Sequence, residues 1–587
     1  MIRLKQPLTA LQALNQQIKI KTGTVEVLGC SRSCRALLVV VIFLFRLDSM
    51  MGRLTMLRHI LLAIVCGLCV NAPTASAIAQ AHKGSVAPPT KQAHSGCSFD
   101  EGKVSEQFIG EIRHEVKPGL PTASPDNKRF AYVSTDGKTF AAVVDGKLVG
   151  SGYDADLTID FSPDGHRYAY VAHSSRDKFI VVVDGQVVGR DYDGVDDETV
   201  SFSPDSSHFA YVVRHKSDDD DTAFVVLDGV AQRSFLDIFH STFSPDSTHF
   251  IYGAKDSGKA FAVLDGREQP KYDAIVSDFS FSPDGARMAY GVELAGKYMV
   301  IIDGVQSRPY VGLVDSPIVF STNNKHVAYG AVVSLQDHTA QVVVDSNGRG
   351  KYKSLGSIVF SPDGNRIAFR AGDGGNDFMV VDGIEQTNVG SAFSNAPVFS
   401  PDSKRVAYWT KQGQQSVLVV DGKIVGRFER PGTITFSADG KHFAYDGGDS
   451  KTWSIFVDGV EHNTHGMVSH ISFSPDSKHF GYLRYRDDQS DDLVVVVDGK
   501  EYATSCPGQD ANLFFSADNK HVVYIVSVLT RFGGYVEYIG VDGIAAKLYD
   551  YVYNWNFGRP IIFDSPTQFH YLAEVNSRVY VVRQSLE

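Results

Sequence analysis

LTIDFSPDGHRYAYVA at 157–172, followed by KFIVVVDGQVVGRDYD at 178–193, decides the fold. Pro163 fixes φ at about −65° in the second turn position, Asp164 bonds the backbone just ahead, and Gly165 tolerates positive φ. SPDG is therefore a tight turn between two short strands. Tyr168 and Tyr170 alternate with Ala169 and Val171, the period of a half-buried strand. Asp184-Gly185 between apolar runs is a hairpin turn. The stretch thus parses as a four-stranded antiparallel meander.

Outward from it, the FSPDG-like mark occurs twelve times, its serine or equivalent running from Ser124 to Ser565. The marks fall about 40 residues apart, the period of propeller blades. The valine-rich strand ending in Asp-Gly recurs with it, for instance at Asp145, Asp228, Asp303 and Asp498, and in altered form at Asp345-Ser346. Because the SPDG aspartates return in nearly every repeat, they read as turn chemistry and not as catalytic groups.

FSPDG followed by HRYAYVA or NRIAFRA resembles the WD40-like repeat of TolB-like β-propellers and of the amino-terminal propellers of prolyl-oligopeptidase-type peptidases. The resemblance covers roughly residues 104–587 and implies an all-β fold, tandem β-propellers of about twelve four-stranded blades. The chain departs from those families in its tight VVVDG hairpin between the last two strands. It also has no clear counterpart of the separate amino-terminal α/β domain of TolB. Twelve blades exceed the usual four to eight of one ring, so two rings are expected, six plus six, at 104–350 and 351–587. The division falls near Asp345 to Tyr352, where the sixth repeat is least regular: its turn is Ser321-Thr322-Asn323-Asn324 and its hairpin VVVDSNGRGKYK. Seven plus five is the alternative. Strand material around 108–116 and 578–583 is expected to help closure, because an open array leaves sheet edges exposed.

Composition fits this reading. The chain has 587 residues, 43% hydrophobic and 21% charged, too long for one ordinary core and within the globular range. Its net charge is −12; residues 1–77 carry nine Lys/Arg against two acids, which leaves −19 for the rest. An acidic body of that kind repels phosphate backbones, and a nucleic-acid partner is not expected.

From Met50 the chain reads as a signal peptide over 50–77: a basic start, the apolar run ILLAIVCGLCV at 60–70, then small residues at Ala75 and Ala77. Cleavage is expected after Ala77, with Ala81 as the alternative. Eleven apolar residues span about 16 Å as helix against a hydrocarbon core of about 30 Å, so no permanent membrane anchor is expected. Residues 1–49 read as an over-extended start and 78–103 as a flexible leader. The product is expected in the periplasm or outside the cell. Of six cysteines only Cys97 and Cys506 follow the cut, and they are a candidate disulfide or two free thiols.

In the meander the first and third turns share one end and the second and fourth connections the other. The turns repeat and the connections vary, so recognition is expected on the variable end. Candidate ligand-binding residues there are Arg214 and Asp219 in VRHKSDDDDTAF, Trp409 and Trp453, and Arg484, Tyr485 and Arg486 in LRYRDDQSDD, groups that stack on or pair with a peptide or sugar. No cofactor is expected. Structural Ca²⁺ is the alternative at 218–221 or along Asp191-Tyr192-Asp193-Gly194-Val195-Asp196-Asp197, but the consecutive acids of the first lack the spacing of a calcium loop and the second lacks the distal bidentate Glu. Zinc at His462 and His465 needs a further ligand.

No nucleophile elbow, HExxH or P-loop is present, and the chain ends after the twelfth repeat, where the resembling peptidases continue into a hydrolase domain. The expected function is a non-enzymatic exported scaffold binding a protein or peptide. The alternative is a propeller hydrolase or lyase, or a lectin, directed at a glycan or peptide.

Overall fold

The structure, a computed structural model, describes residues 18–21, 24–27, 104–112 and 121–586, apart from 156, 175–177, 197–198, 217–220, 387–390, 393–395, 450–452, 465–467, 486–492, 504–508, 530–534 and 554–559. The chain divides into two units, residues 1–90 and 91–587. In the first, Ile18–Lys21 pairs antiparallel with Thr24–Val27, Ile18 opposite Val27. The signal-peptide stretch, the leader and both Cys97 and Cys506 lie outside the described residues.

The second unit is all-β: twelve antiparallel blades, numbered here by their turns. Blade 2 shows the pattern, with strands Ile159–Phe161, Tyr168–Ser174, Lys178–Val183 and Gln186–Tyr192. Second and third strands are buried and fourth strands largely exposed. First strands of neighbouring blades touch, as in blades 5 to 7 and 9 to 11, so they lie at the narrow centre of the ring.

The repeated motifs are the ties of this ring. In each of the first eleven turns the serine is at most 1% exposed. Its hydroxyl donates to the Asp or Asn two residues on at 2.5–2.7 Å and accepts the N–H of the residue five on, as Ser162 does for Arg167 at 2.9 Å. In the hairpin turn, Asp184 sits at φ 52° and accepts from Tyr168 N at 3.0 Å and from Arg167 Nε at 3.0 Å. The same clasp uses Arg129, Arg287, Arg366 and Arg405 in blades 1, 5, 7 and 8. Histidine takes that place in six blades, with Nδ1 2.6–2.7 Å from the aspartate: His208, His249, His326, His442, His479 and His521.

The arginines reach further. Each lies 5.1–5.7 Å over the phenylalanine that opens the next blade's turn. All five also donate Nη1 to carbonyls of the next turn, Arg366 to Ser403 at 3.0 Å and Lys404 at 2.6 Å. A second tie joins turns directly, Asp164 N to Ser206 Oγ at 3.0 Å and Asp363 N to Ser403 Oγ at 2.8 Å. Tyrosines at the ends of fourth strands pack on the next blade, Tyr153 on Tyr170 with hydroxyls 3.1 Å apart and Tyr192 on Tyr211 at 3.3 Å. The recurring Tyr-Asp pair at these strand ends is therefore inter-blade packing.

The expectation of two rings is corrected here: the blades form one ring of twelve. The irregular sixth repeat strengthens its seam with the seventh instead of ending the array. Asn323 does the aspartate's work for Ser321 at 2.7 Å, and its amide also donates to Asp363 O at 2.9 Å. Thr322 Oγ1 donates to Pro362 O at 2.7 Å, and Val342 shares a core with Phe369 and Val380. Closure lies at the far end. Val104–Glu111 pairs with Arg578–Ser585, Val104 opposite Gln584 and Glu111 opposite Arg578, and so becomes the fourth strand of blade 12. Blades 12 and 1 then share a core of Ile112, Phe130, Tyr132, Leu572 and Val579.

Ser565 is not the twelfth buried serine. Ser565 pairs with Gln568 around a two-residue hairpin turn, and the buried unit is rebuilt from Asp564 and His570. His570, 1% exposed, places Nδ1 2.8 Å from Asp564 Oδ2 and Nε2 2.8 Å from the Asp126 carbonyl of blade 1.

The turn aspartates give the ring an acid limit. Serine hydroxyls and backbone N–H groups hold Asp246 down to about 2 from an ordinary 3.8 and lower Asp164, Asp205, Asp363 and Asp439 in the same way. A carboxylate whose folded pKa is depressed adds stability that is present above its free value and lost as pH falls through the folded one. The urea midpoint should stay level from pH 7 to about 5 and fall steeply from about pH 4 to 2. A midpoint that does not fall in that window would mean these turns contribute nothing.

Candidate functional site

The clasps place all SPDG and DG turns at one end of the ring, and the varied connections gather at the other. At this variable end one position per blade governs the shape: the residue after the second-strand aromatic. It faces the first-strand segment, which bulges or breaks there. In blades 4, 5 and 6 this residue is Gly253, Gly291 and Gly330; in blades 8 and 9 it is Trp409 and Asp446.

In blade 5 the first strand splits into Ala274–Ile275 and Ser280–Phe281, and in blade 6 into Gly312–Leu313 and Val319–Phe320. The intervening loops fold over the glycines. Val276 N donates to Gly291 O at 2.8 Å, and Ser277 Oγ accepts Gly291 N at 2.7 Å. A Cβ on Gly291 would lie 2.7 Å from Leu313 Cδ1, and one on Gly330 2.7 Å from Val314 Cβ. Only glycine admits these loops without displacing them. Between them lies a cleft of about 260 Å³, walled by Leu313, Val314, Ile318 and Tyr329 and edged by Asp278 and Asp315. His240 of blade 4, at φ 54°, reaches Asp278 Oδ1 at 2.7 Å, and the Asp278 side chain is 85% exposed.

The sequence-predicted residues are dispersed. Arg214 binds Asp196 at 2.8 Å and Asp237 at 2.9 Å, which ties blade 3 to blade 4. Trp409, 5% exposed, packs edge-on to Phe428 and donates Nε1 to Gly432 O at 3.2 Å, between blades 8 and 9. Trp453 donates Nε1 to Asp446 Oδ2 at 2.7 Å, and Thr433 N and Oγ1 reach the other oxygen at 2.7 and 2.6 Å. Arg484 pairs with Glu501 on the fourth strand of its blade. Asp219, Arg486 and the Tyr485 side chain lie outside the described residues. Asp193 is engaged by the Lys178 ammonium and by His215 at 2.6 Å, in the place proposed for a calcium ligand. His462 lies edge-on to Phe480, and His465 is outside the described residues. Among the described residues no group of three His, Cys, Asp or Glu is placed to hold a metal ion, and no helix is long and apolar enough to cross a membrane.

Sequence reasoning missed the cleft and Asp446. The signal was present: Tyr-Gly follows the turn in three consecutive repeats, at Tyr252-Gly253, Tyr290-Gly291 and Tyr329-Gly330, and nowhere else in that position.

No family model and no curated protein matches the chain. Among solved structures it is similar to a eukaryotic initiation factor at 11% identity, covering 67% of this chain and 87% of that one with a TM-score of 0.31. TolB from Acinetobacter baumannii is similar at 17% identity, 46% and 78% coverage and a TM-score of 0.20. The Cps50 (Swd1) β-propeller domain of Myceliophteria thermophila is similar at 12% identity, 46% and 96% coverage and a TM-score of 0.21. The twelve antiparallel blades and their ties identify the chain as a twelve-bladed β-propeller.

Proposed function

We propose that this chain is an exported, non-enzymatic scaffold whose ring presents its variable end to a protein or peptide partner. One observation carries the reading: the polar groups of the regular end are consumed by eleven repeats of the same clasp, whereas the non-repeating groups, the split first strands and the cleft collect at the other end. Loops held on a rigid frame are where binding residues concentrate. Export rests on the basic–apolar–small order of residues 50–77.

Two measurements test it. Fractionation of cells expressing the chain, with sequencing of the mature terminus, should give an exported product beginning after Ala77 or Ala81; an intact Met1 retained inside the cell overturns export. A photo-crosslinking side chain at Ser257, Leu335 or Gln414 on the variable end should capture an envelope protein or peptide, and one at Lys404 or Val460 on the regular end should not. Equal capture at both ends, or turnover of a glycan or peptide by the purified ring, overturns the scaffold reading.

A further inference from the structure

Apart from Val398 on the first strand of blade 8, the exposed aliphatic side chains described in the ring fall into two sets. One follows the Asp-Gly hairpins on fourth strands, including Leu148, Val230, Val305 and Ile384, a blade or more apart. Single exposed aliphatics of that kind are ordinary. The other is gathered on the variable end of three consecutive blades: Leu236 at 41% exposure before the first strand of blade 4, Val276 at 38% and Leu294 at 37% in blade 5, and Leu335 at 64% in blade 6. This is the sector of the three Tyr-Gly pairs, and Val276 itself lines the cleft between blades 5 and 6.

We propose that this cleft is the docking point for the partner, and that it takes a peptide segment presenting an aliphatic side chain beside a lysine or arginine. The inference rests on the reading of the variable end as the binding end and names what that end recognises. At about 260 Å³ the cleft is smaller than the roughly 300–1,000 Å³ of small-molecule and cofactor sites, and it suits one inserted side chain. Leu313, Val314, Pro317 and Ile318 give it an apolar wall beside Ser277, Ser280 and Ser316, and that wall suits an aliphatic side chain. Its lining includes two carboxylates, Asp278 and Asp315, and no lysine or arginine. Asp278 has one oxygen on His240 and is otherwise open to solvent. Charge complementarity therefore selects a cationic neighbour for the inserted side chain and rejects an acidic one. The glycines set the specificity of the place: a side chain at 291 or 330 would collide with the loops that form the walls, so no blade with a larger residue there builds the same cleft.

The test uses the full chain and three fluorescein-labelled peptides, Gly-Lys-Leu-Lys-Gly, Gly-Glu-Leu-Glu-Gly and Gly-Lys-Ser-Lys-Gly, read by fluorescence anisotropy up to millimolar concentration. Only the first is expected to bind, more weakly as salt rises. The double variant Asp278→Asn, Asp315→Asn should lose about tenfold in affinity, the scale of losing charge-assisted contacts. Leu294→Ser with Leu335→Ser should weaken binding, and Val460→Ser on the regular end should leave it unchanged. These positions are exposed, and an unaltered melting temperature verifies the fold of each variant. No binding of the first peptide, equal binding of all three, or unchanged affinity in both double variants overturns the proposal. Failure here remains distinct from failure of the scaffold reading: photo-crosslinks from Gln414 without any from Leu335 would keep the binding end and discard this cleft.

Discussion

Deletion of Val104–Glu111 together with Ile112 should open the ring. The deletion removes the fourth strand of blade 12, leaving the N–H and C=O groups of Arg578–Ser585 unpaired along one edge. It also removes the ion pair of Lys547 with Glu106 at 2.7 Å and takes Ile112 from the core shared by blades 12 and 1. Net contributions of about 0.5–1.5 kcal/mol per lost ladder hydrogen bond put the cost on the order of 4 kcal/mol. The expected result is a lower melting temperature and a larger radius of gyration by solution scattering. Gln107→Pro, which keeps the chain length and breaks the ladder at one place, should move both quantities the same way by less. A deletion variant with unchanged radius and melting temperature would show that another contact closes the ring.

The second large effect is expected at His570. Both ring nitrogens lie within hydrogen-bond reach of acceptors, a carboxylate and a backbone carbonyl across the blade 12–1 seam. His570→Leu removes both contacts from a site 1% exposed, which leaves the Asp126 carbonyl without this partner and Asp564 facing solvent alone. Such orphaning costs about 1–3 kcal/mol per group, and a loss of about 3 kcal/mol is expected in chemical denaturation. His521→Leu is the comparison. That ring makes one bond, to Asp542 at 2.7 Å with a side chain 23% exposed, and its loss should cost about 1 kcal/mol or less. Equal losses at the two positions would show that His570 is only another clasp. His570→Gln, which keeps one donor, should recover part of the difference.

Much of the fold was legible because each blade writes its own turns. Pro163, Asp164 and Gly165 specify a turn whatever lies beyond it, and the alternation in Tyr168 and Tyr170 specifies the buried strand. The number of rings was not legible. The seam between blades 6 and 7 is made by the same local groups as any other seam, and Asn323 and Thr322 read as irregularity until their reach to Pro362 and Asp363 is seen. Closure depends on Val104–Glu111 meeting Arg578–Ser585, a pairing between the two ends of the array that no local pattern encodes. The candidate site was less legible for a related reason. Trp409 and Arg214 have side chains suited to recognition, but the radial packing of blades turns the first inward and locks the second between two aspartates. What shapes the cleft is the lack of a side chain at Gly291 and Gly330, which a search for chemical groups passes over.

The alternation of arginine and histidine in the clasps makes the ring an uneven hoop. An arginine rivets its blade to the next through the phenylalanine and turn carbonyls ahead of it, while a histidine bonds the hairpin aspartate of its own blade and reaches forward by ring stacking alone, His208 on Phe243 and His326 on Phe360. Blades 9, 10 and 11 carry three histidines in succession, His442, His479 and His521. Bending of the hoop therefore gathers in that arc. Between blades 1 and 3, where Arg129 and Arg167 rivet consecutive seams, and between blades 7 and 9, where Arg366 and Arg405 do, it is stiffest.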